Sequence, residues 1–379
     1  MKYRTFGKLD WRPSALGFGA MRLPILNGDS TKIDEPAAIE MIRYAIDHDV
    51  NYVDSAYGYH GGNSERVVGK ALKDGYRERV KLATKMPTWL VTSQVDMDRY
   101  LEEQLGRLQT DHIDFYLLHG LRKERWPAMV ENDVFGWAEG VKEEGKIINF
   151  GFSFHDEFDL FKEIIDSYDG WMLCQIQYNY MDTEYQAGTR GLRYAASKGL
   201  AVVVMEPIQG GRLAVPPPPE IQAIWDEAPV KRTPAEWALQ WVWNQPEVSV
   251  VLSGMSTMRQ VVENVESAGR SGPGTLKKRE LETIERARQR YRELGFIGCT
   301  GCRYCVPCPQ GVAIPEIFAI FNEQFRTRDD SVKAEYSRLA AENRASRCVG
   351  CGQCEKMCPQ QLPIRDLMRG AVRTFESGR

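Results

Sequence analysis

Short apolar runs rich in β-branched residues alternate with longer segments of helical periodicity from residue 15 to about residue 268. Eight of the runs have the length of buried strands, with predicted bounds 15–21, 51–55, 80–85, 114–119, 147–153, 174–179, 201–206 and 248–253. A helical segment follows each run, with predicted bounds 35–47, 64–73, 95–108, 134–144, 157–168, 189–198, 234–244 and 258–267. Parallel strands need crossover helices and a closed sheet has no edges, so the pattern predicts an α/β fold, a (β/α)8 TIM barrel.

An open doubly wound sheet is the competing α/β architecture. The count of eight strands favours the barrel, as does the absence of a Gly-x-Gly-x-x-Gly turn after an early strand. Four consecutive prolines, 216–219, follow the seventh strand and predict a stiff extended loop rather than a helix. That loop either borders the active site or is a surface spacer.

The pattern changes after the eighth helix, where Ser-Gly-Pro-Gly at 271–274 interrupts it. One helix is predicted over 275–294, and three more over 314–324, 331–345 and 365–375. The predicted domains are therefore a barrel over 1–274, a linking helix over 275–295, and a small α-helical domain over 296–379.

Eight of the nine cysteines form two runs in that small domain: Cys299, Cys302, Cys305 and Cys308, then Cys348, Cys351, Cys354 and Cys358. The second run has the bacterial ferredoxin spacing, in which three cysteines bind one 4Fe-4S cluster and the cysteine before proline binds the other. That rule predicts a dicluster ferredoxin-like domain. It assigns Cys358 to the cluster of Cys299, Cys302 and Cys305, and assigns Cys308 to the cluster of Cys348, Cys351 and Cys354. The first run departs from the rule, because two residues rather than three precede Cys308.

Two four-cysteine zinc sites are the main alternative, although zinc sites usually bring paired rather than quadrupled cysteines. Disulfides are disfavoured, because the chain has no N-terminal apolar signal segment and we expect a reducing, cytoplasmic location. Cys174 stands alone before an apolar run and is predicted to be a small buried side chain.

Composition and charge exclude several classes of protein. With 43% hydrophobic and 27% charged residues, the 379-residue chain is ordinary for a globular enzyme of two domains. A net charge of −3 argues against a nucleic-acid partner, which would need a concentrated basic face. No run of about 18 apolar residues is present, so no membrane span is predicted.

Four titratable residues fall at three neighbouring strand ends of the predicted barrel. Asp54, Lys85 and His119 end strands two, three and four, and Tyr59 lies five residues after Asp54. Barrel enzymes carry their chemistry at the carboxyl ends of the strands, so these side chains are predicted to converge. Each taken singly has a structural interpretation, but the four together favour an active site.

At this point the chain resembles the aldo-keto reductase family. The motifs that carry the resemblance are Val53-Asp-Ser-Ala-Tyr-Gly-Tyr59, Asn63-Ser-Glu65, Ala83-Thr-Lys85, Tyr116-Leu-Leu-His119, Gly151-Phe-Ser153 and Gln175-Ile-Gln-Tyr-Asn179. The resemblance implies a catalytic tetrad of Asp54, Tyr59, Lys85 and His119. The whole chain is similar to the iron–sulfur branch of the family, in which a ferredoxin-like module follows the barrel.

Carbonyl reduction explains these residue types. A hydride acceptor needs a proton donor for its developing alkoxide, and a phenol is a weak acid unless its phenolate is stabilised. Lys85 beside Tyr59 would supply the positive charge, Asp54 would keep the ammonium charged, and His119 would orient the carbonyl oxygen.

The resemblance also implies a nicotinamide cofactor and residues that bind it. Ser153 and Gln175 would bind the carboxamide. Glu263 and Asn264 would bind the adenine. The segment after strand seven would bind the pyrophosphate through Pro207, Gly210, Gly211 and Arg212. Three features depart from the family: Phe154 follows the serine, Met205 stands where an aromatic ring often stacks, and Gln260 replaces a common arginine. Binding of a 2'-phosphate favours a nearby Arg or Lys side chain. Arg259 is one such residue, but the loop favours NADH slightly over NADPH.

Four loop residues are candidates for the substrate pocket, with packing roles equally open: Tyr57, His60, Trp89 and Arg122. The substrate is predicted to be a small carbonyl or alcohol compound. Because a nicotinamide transfers two electrons and a 4Fe-4S cluster normally one, three hypotheses remain. In the first, the barrel is a nicotinamide-dependent reductase. In the second, the clusters exchange electrons with a protein partner while the barrel hosts other redox chemistry, with or without a bound flavin. In the third, the barrel is a scaffold for an electron-transfer module.

Overall fold

Eight parallel strands close into a barrel in this computed structural model, which describes residues 1–327, 329 and 331–376. Their order around the barrel follows the sequence, and β8 pairs with β1. The strands are β1 Leu16–Gly19, β2 Tyr52–Asp54, β3 Lys81–Met86, β4 Ile113–Leu121, β5 Ile147–Phe154, β6 Trp171–Gln177, β7 Ala201–Met205 and β8 Val248–Gly254. All eight predicted strands are confirmed, and the predicted barrel with them.

Helices alternate with these strands as the periodicity predicts. They are α1 Glu35–Asp47, α2 Ser64–Ala71, α3 Gln94–Leu108, α4 Trp126–Glu131, α5 Val134–Glu143, α6 Phe158–Asp166, α7 Gly188–Ser197, α8 Pro219–Asp226, α9 Pro234–Trp243 and α10 Met258–Gly269. The prediction of an extended loop at 216–219 is wrong at its last residue, because α8 begins at Pro219. Proline is tolerated in the first turn of a helix, where its missing N–H costs no hydrogen bond.

An aromatic cluster closes the amino-terminal end of the barrel. Phe6 lies in an antiparallel bridge with Leu9 and packs on Phe115 with ring centroids 4.8 Å apart. Tyr52 and Trp11 complete the cluster, and Phe6, Tyr52 and Phe115 are fully buried. These side chains fill the amino-terminal end of the barrel. The polar residues at the strand ends lie at the opposite, carboxyl-terminal end.

The rest of the chain is helical. It contains α11 Lys278–Glu293, α12 Ile314–Thr327, α13 Ser331–Ser337, α14 Gln353–Met357 and α15 Ile364–Phe375. The predicted helix over 331–345 is too long. Beyond Ser337, the Arg344 guanidinium donates to the carbonyls of Leu339 and Ser337, and the chain continues in 3-10 turns.

The chain divides into two compact units. The first contains Met1–Pro207 and Ala238–Leu276, and the second contains Ile208–Trp237 together with the chain from Lys277 onward. The segment after β7, including α8, therefore belongs to the same unit as the cysteine runs. Among the described residues, no helix is both long and apolar enough to cross a membrane.

Candidate active site and cysteine centres

The four titratable residues converge at the carboxyl ends of β2 to β4. Asp54 is the last residue of β2, and Lys85 and His119 lie near the ends of β3 and β4. Tyr59 opens a 3-10 turn, Tyr59–Gly62, and is buried. In the strand register Asp54 stands opposite Ala83 and Lys85 opposite Leu117. Lys85 and His119 each lie two residues beyond these partners, so the three side chains share one face of the sheet.

Lys85 is the hub of this group. Its Nζ lies 2.6 Å from Asp54 Oδ1, 2.7 Å from the carbonyl oxygen of Ser55 and 3.5 Å from Tyr59 Oη. The Lys85 side chain is 1% exposed and that of Asp54 is 3% exposed, so both groups are almost completely excluded from solvent. A cation is therefore held against a phenol by a carboxylate on its far side.

Burial opposes charge on both partners. Loss of water raises the pKa of Asp54 and lowers the pKa of Lys85, and the attraction between the two groups counters each shift. Burial also lowers the pKa of His119 well below its usual value, with further lowering from the charges of Lys85 and Arg125. His119 is consequently a neutral imidazole at physiological pH, which suits a hydrogen-bond donor rather than an acid.

Rings and a cation surround His119. The Tyr59 ring meets it edge-on with centroids 5.8 Å apart, and the Trp89 ring lies 5.2 Å from it. Arg125 lies 5.0 Å above Trp89 and donates to the carbonyl oxygen of Gly120 at 2.9 Å. Sequence reasoning did not single out Arg125. Its signal was Gly120, whose φ of +62° coincides with an irregularity in the pairing of β4 with β5 directly after His119.

Of the residues predicted to bind the cofactor, Ser153, Gln175 and Met205 lie near strand ends, and Gln260, Glu263 and Asn264 lie on α10. Gln175 is buried, and its Oε1 has no hydrogen-bond partner among the described residues, as expected for an acceptor that awaits a carboxamide. Ser153 Oγ already accepts from the backbone N–H of Gly120 at 2.7 Å. Asn264 Nδ2 donates to Ser253 Oγ at 3.0 Å, and Gln260 Oε1 accepts from the N–H of Ser256 at 2.7 Å.

The segment after β7 has an unusual backbone. Met205 is half-buried at the end of β7, Pro207 is buried, and Gly210 and Gly211 have φ values of +65° and +104°. Within the second unit, a methyl group at Gly210 would lie 2.0 Å from the carbonyl oxygen of Thr300. Arg212 donates to the carbonyl oxygen of Ile297 at 3.3 Å. Gly210 and Arg212 are thus packed against the start of the first cysteine run.

A cation that sequence reasoning missed lies near the end of β8. A methyl group at Gly254 would lie 2.6 Å from Arg22 Cγ, and Ser256 Oγ donates to the carbonyl oxygen of Arg22 at 2.8 Å. Arg259, the candidate cation on α10, is exposed and pairs with Glu263 at 2.7 Å. Arg22 precedes α1 by thirteen residues, so no local pattern linked it to β8.

The four pocket candidates differ in their surroundings. Trp89 lies beside His119, as described above. Tyr57 donates to Glu103 at 2.9 Å, which turns its hydroxyl towards α3. His60 Nδ1 lies 2.7 Å from the carbonyl oxygen of Ser30, and Arg122 is 3.5 Å from Glu124.

The cysteines of the second unit form two groups. Burial raises the pKa of Cys305, as do the nearby thiols of Cys302, Cys299 and Cys358, which identifies these four as neighbours. The N–H of Gly301 donates to Cys299 Sγ at 3.4 Å, the kind of hydrogen bond that cluster ligands receive. The grouping matches the assignment made from spacing.

The remaining four cysteines share a cavity of about 220 Å³. Cys308, Cys348, Cys351 and Cys354 line it, as does Cys305 of the first group, together with apolar side chains that include Val312, Ile314 and Met368. Among the described residues, no three Cys, His, Asp or Glu side chains converge on a single-ion site. The ligands of a cluster bind separate iron atoms, so a cavity between four thiols fits one. Cys174, by contrast, is completely buried in β6, as predicted.

Two family models match the chain in sequence. Residues 15–288 match the aldo/keto reductase family, and residues 298–362 match the 4Fe-4S dicluster domain. The chain belongs to the aldo/keto reductase family. The second match favours iron–sulfur clusters over the zinc alternative, and the fold of an aldo/keto reductase barrel followed by a 4Fe-4S dicluster domain confirms the predicted architecture.

Characterised aldo/keto reductases are distant relatives. The NADH-specific methylglyoxal reductase of Escherichia coli (strain K12) is 27% identical over 334 residues, which cover 76% of this chain and 100% of the relative. The L-galactose dehydrogenase of Arabidopsis thaliana is 27% identical over 283 residues, covering 70% and 87%.

Solved structures agree with the barrel. The aldo-keto reductase AKR11C1 from Bacillus halodurans, in its holo form, superposes with a TM-score of 0.63 at 29% identity, covering 76% of this chain and 96% of that one. An aldo-keto reductase from Klebsiella pneumoniae in complex with NADPH gives 0.61 at 26% identity, covering 76% and 95%. The chain is therefore an oxidoreductase of this family.

Proposed function

We propose that the protein transfers hydride between a nicotinamide cofactor and a small carbonyl or alcohol substrate, with Tyr59 as the general acid and base. The observation that carries the proposal is Lys85 Nζ, held between Asp54 at 2.6 Å and Tyr59 Oη at 3.5 Å. A reduced nicotinamide supplies the hydride when bound.

The side chains of the tetrad then donate the proton and stabilise the charge that develops during hydride transfer. As negative charge develops on the carbonyl oxygen, Tyr59 gives it the phenolic proton, and the Lys85 ammonium stabilises the phenolate that remains. Asp54 holds the ammonium charged in a site without water. His119, neutral because burial lowers its pKa, donates a hydrogen bond to the same oxygen and fixes the angle of the carbonyl.

Tyr59→Phe tests this role under anaerobic conditions. Carbonyl reduction by NADH or NADPH should fall by about 10²–10⁴-fold, because the proton donor is lost. The dissociation constant of the cofactor, measured by fluorescence, should change little. Tyr57→Phe is the matched control, since the Tyr57 hydroxyl is engaged by Glu103. Turnover by Tyr59→Phe at the wild-type rate would remove Tyr59 from the acid role.

For the cofactor, we propose contacts through Ser153 and Gln175 to the carboxamide, Pro207, Gly210, Gly211 and Arg212 to the pyrophosphate, and Gln260, Glu263 and Asn264 to the adenosine, with Met205 beside the ring. The unpartnered Oε1 of Gln175 supports the first of these. NADH is the proposed preference. Arg259 is already neutralised by Glu263, a carboxylate that would repel a 2'-phosphate.

Arg22 is the cation that could reverse this preference. If NADPH binds more tightly than NADH, and Arg22→Ala removes the difference, the proposed preference is wrong and Arg22 holds the phosphate. Titration of both cofactors against the wild type and Arg22→Ala separates the two cases.

For the cysteines, we propose two 4Fe-4S clusters with the ligand sets given by spacing, including Cys308. The cavity shared by Cys308, Cys348, Cys351 and Cys354 supports the second set. Iron and sulfide quantitation on anaerobically purified protein tests the number of clusters. Visible bands of a flavin in the same spectrum would instead favour the second hypothesis, in which the barrel hosts flavin-linked chemistry.

A further inference from the structure

The two cysteine groups differ in their access to solvent. Cys358, a ligand of the first group, is buried, whereas Cys351 in the second group is exposed. Val349 is 67% exposed. Gly350 and Gly352 flank Cys351 with φ values of +72° and +74°, and a methyl group at Gly350 would meet nothing within 4 Å. The loop 349–352 thus leaves one sulfur of the second group covered by little more than backbone.

This loop lies in a segment with an excess of positive charge. Residues 344–373 contain six Lys and Arg and two Asp and Glu, whereas the whole chain has a net charge of −3. Both acids are already paired, Glu355 with Arg365 at 2.8 Å and Asp366 with Arg369. The positive charge of this segment is therefore not cancelled within it.

Two arginines next to the second cysteine run account for half of that surplus. Arg347 precedes Cys348 and is exposed, with no ion pair among the described residues. Arg344 donates only to the neutral carbonyls of Leu339 and Ser337. A surface depression of about 470 Å³ beside α15 is lined by Leu362, Pro363, Arg365 and Arg369, and by the two acids that pair with these arginines.

A cluster ligand that is exposed to solvent and flanked by basic side chains suits electron exchange with an acidic protein. Electron-transfer encounters are weak and bury less than about 1,200 Å², so a small exposed loop is enough. Complementary charge steers such encounters and sets their rate more than their affinity.

We infer that the loop 349–352, with Arg347 and Lys356 at its rim, is the electron-exchange surface of the second cluster, and that its partner is a small one-electron carrier with an acidic face. In the exchange the reduced carrier loses one electron and the oxidised cluster gains it. No bond is formed or broken and no proton moves. The inference does not depend on carbonyl reduction in the barrel.

Stopped-flow absorbance on the full-length, cluster-loaded protein tests it, with a reduced acidic plant-type 2Fe-2S ferredoxin as the probe. Between ionic strengths of about 0.01 M and about 1 M the Debye length falls from about 30 Å to about 3 Å. The second-order rate of cluster reduction should fall by about tenfold or more over that range. With an oxidised cytochrome c-type carrier of basic surface as the acceptor from the reduced cluster, the salt dependence should be reversed or absent.

Arg347→Glu should slow the exchange by about tenfold at low salt and match the wild type at high salt. Lys356→Glu, on the other side of the loop, gives a second measurement if Arg347→Glu fails to hold its iron. Lys278→Glu is the control, because it makes the same charge change at the opposite end of α11, about 24 Å of helix from the cysteine module. Rates that are insensitive to salt, or equal slowing by Lys278→Glu, would overturn the inference.

Discussion

Lys85→Met tests whether the buried charge pair is the central electrostatic element of the barrel mouth. The substitution leaves the Asp54 carboxylate in a site that is 3% exposed and removes the group 2.6 Å from its Oδ1. Loss of one partner from a buried ion pair costs about 3–5 kcal/mol of folding free energy. The uncompensated charge, rather than lost packing, accounts for this, since methionine nearly fills the space of the lysine stem.

The pH dependence of the variant has a definite sign. Burial already raises the pKa of Asp54, and removal of the neighbouring ammonium raises it further. A carboxyl group whose folded pKa exceeds its unfolded value is stabilising below the unfolded pKa, near 3.9, and loses that contribution as pH rises through the folded pKa. The deficit of Lys85→Met relative to the wild type should therefore shrink as the pH is lowered.

A double-mutant cycle isolates the pair. Asp54→Asn with Lys85→Met replaces both charges and should recover about 2–3 kcal/mol of the loss in the single variants. Lys81→Met makes the same side-chain change at a half-exposed lysine whose partner, Asp114, keeps its bond to Arg77 at 2.8 Å. It should cost no more than about 1 kcal/mol.

Urea unfolding followed by tryptophan fluorescence measures these differences, at matched iron content. Seven of the nine tryptophans lie in the first unit, so the signal reports mainly on the barrel. If the losses in the two single variants add up in the double variant, or if the deficit of Lys85→Met does not change with pH, Lys85 and Asp54 are not a coupled pair.

Three further predictions concern other parts of the chain. Burial lowers the pKa of His155 to about 4, so stability should fall by up to about 3 kcal/mol as the pH drops from 6.5 to 4, and His155→Gln should flatten that loss in urea unfolding. Cys358→Ser should halve the iron per chain, whereas Cys174→Ser should leave it unchanged in a colorimetric assay; full iron in Cys358→Ser would refute its ligand role. Gly210→Ala, whose methyl group would meet the Thr300 carbonyl at 2.0 Å, should lower the melting temperature of the cluster absorbance. Gly211→Ala, with open space around its methyl group, should lower it less, and equal shifts would show that backbone strain alone is responsible.

The barrel was predictable because its signals are local. Each strand is a buried apolar run, and the predicted bounds differ from the observed ones mostly by one or two residues; β6 begins three residues earlier than predicted. The short helices α4, α8 and α14 were not predicted, because they have six, eight and five residues and too few turns to show a period.

The convergence of the tetrad was also predictable, since adjacent parallel strands end at the same level. Contacts between residues far apart in sequence were not. The position of Arg125 depends on the irregular backbone of β4 at Gly120, and the approach of Arg22 to Gly254 spans more than two hundred residues. No periodicity encodes such pairs, so Arg125 and Arg22 were not predicted.

The packing of Gly210 and Arg212 against the start of the first cysteine run bears on how this chain can be shortened. Deleting everything after Glu293 would remove the carbonyls of Ile297 and Thr300 and leave the segment 208–237 with α11 as the remaining part of its own compact unit. Truncation at a single position therefore cannot separate the first unit from the second, because the second unit is formed by two separate stretches of sequence. A shortened barrel would need a replacement for that segment as well, so engineering by simple truncation or fusion should yield a chain that retains its strands but aggregates or is readily cleaved by proteases after Pro207.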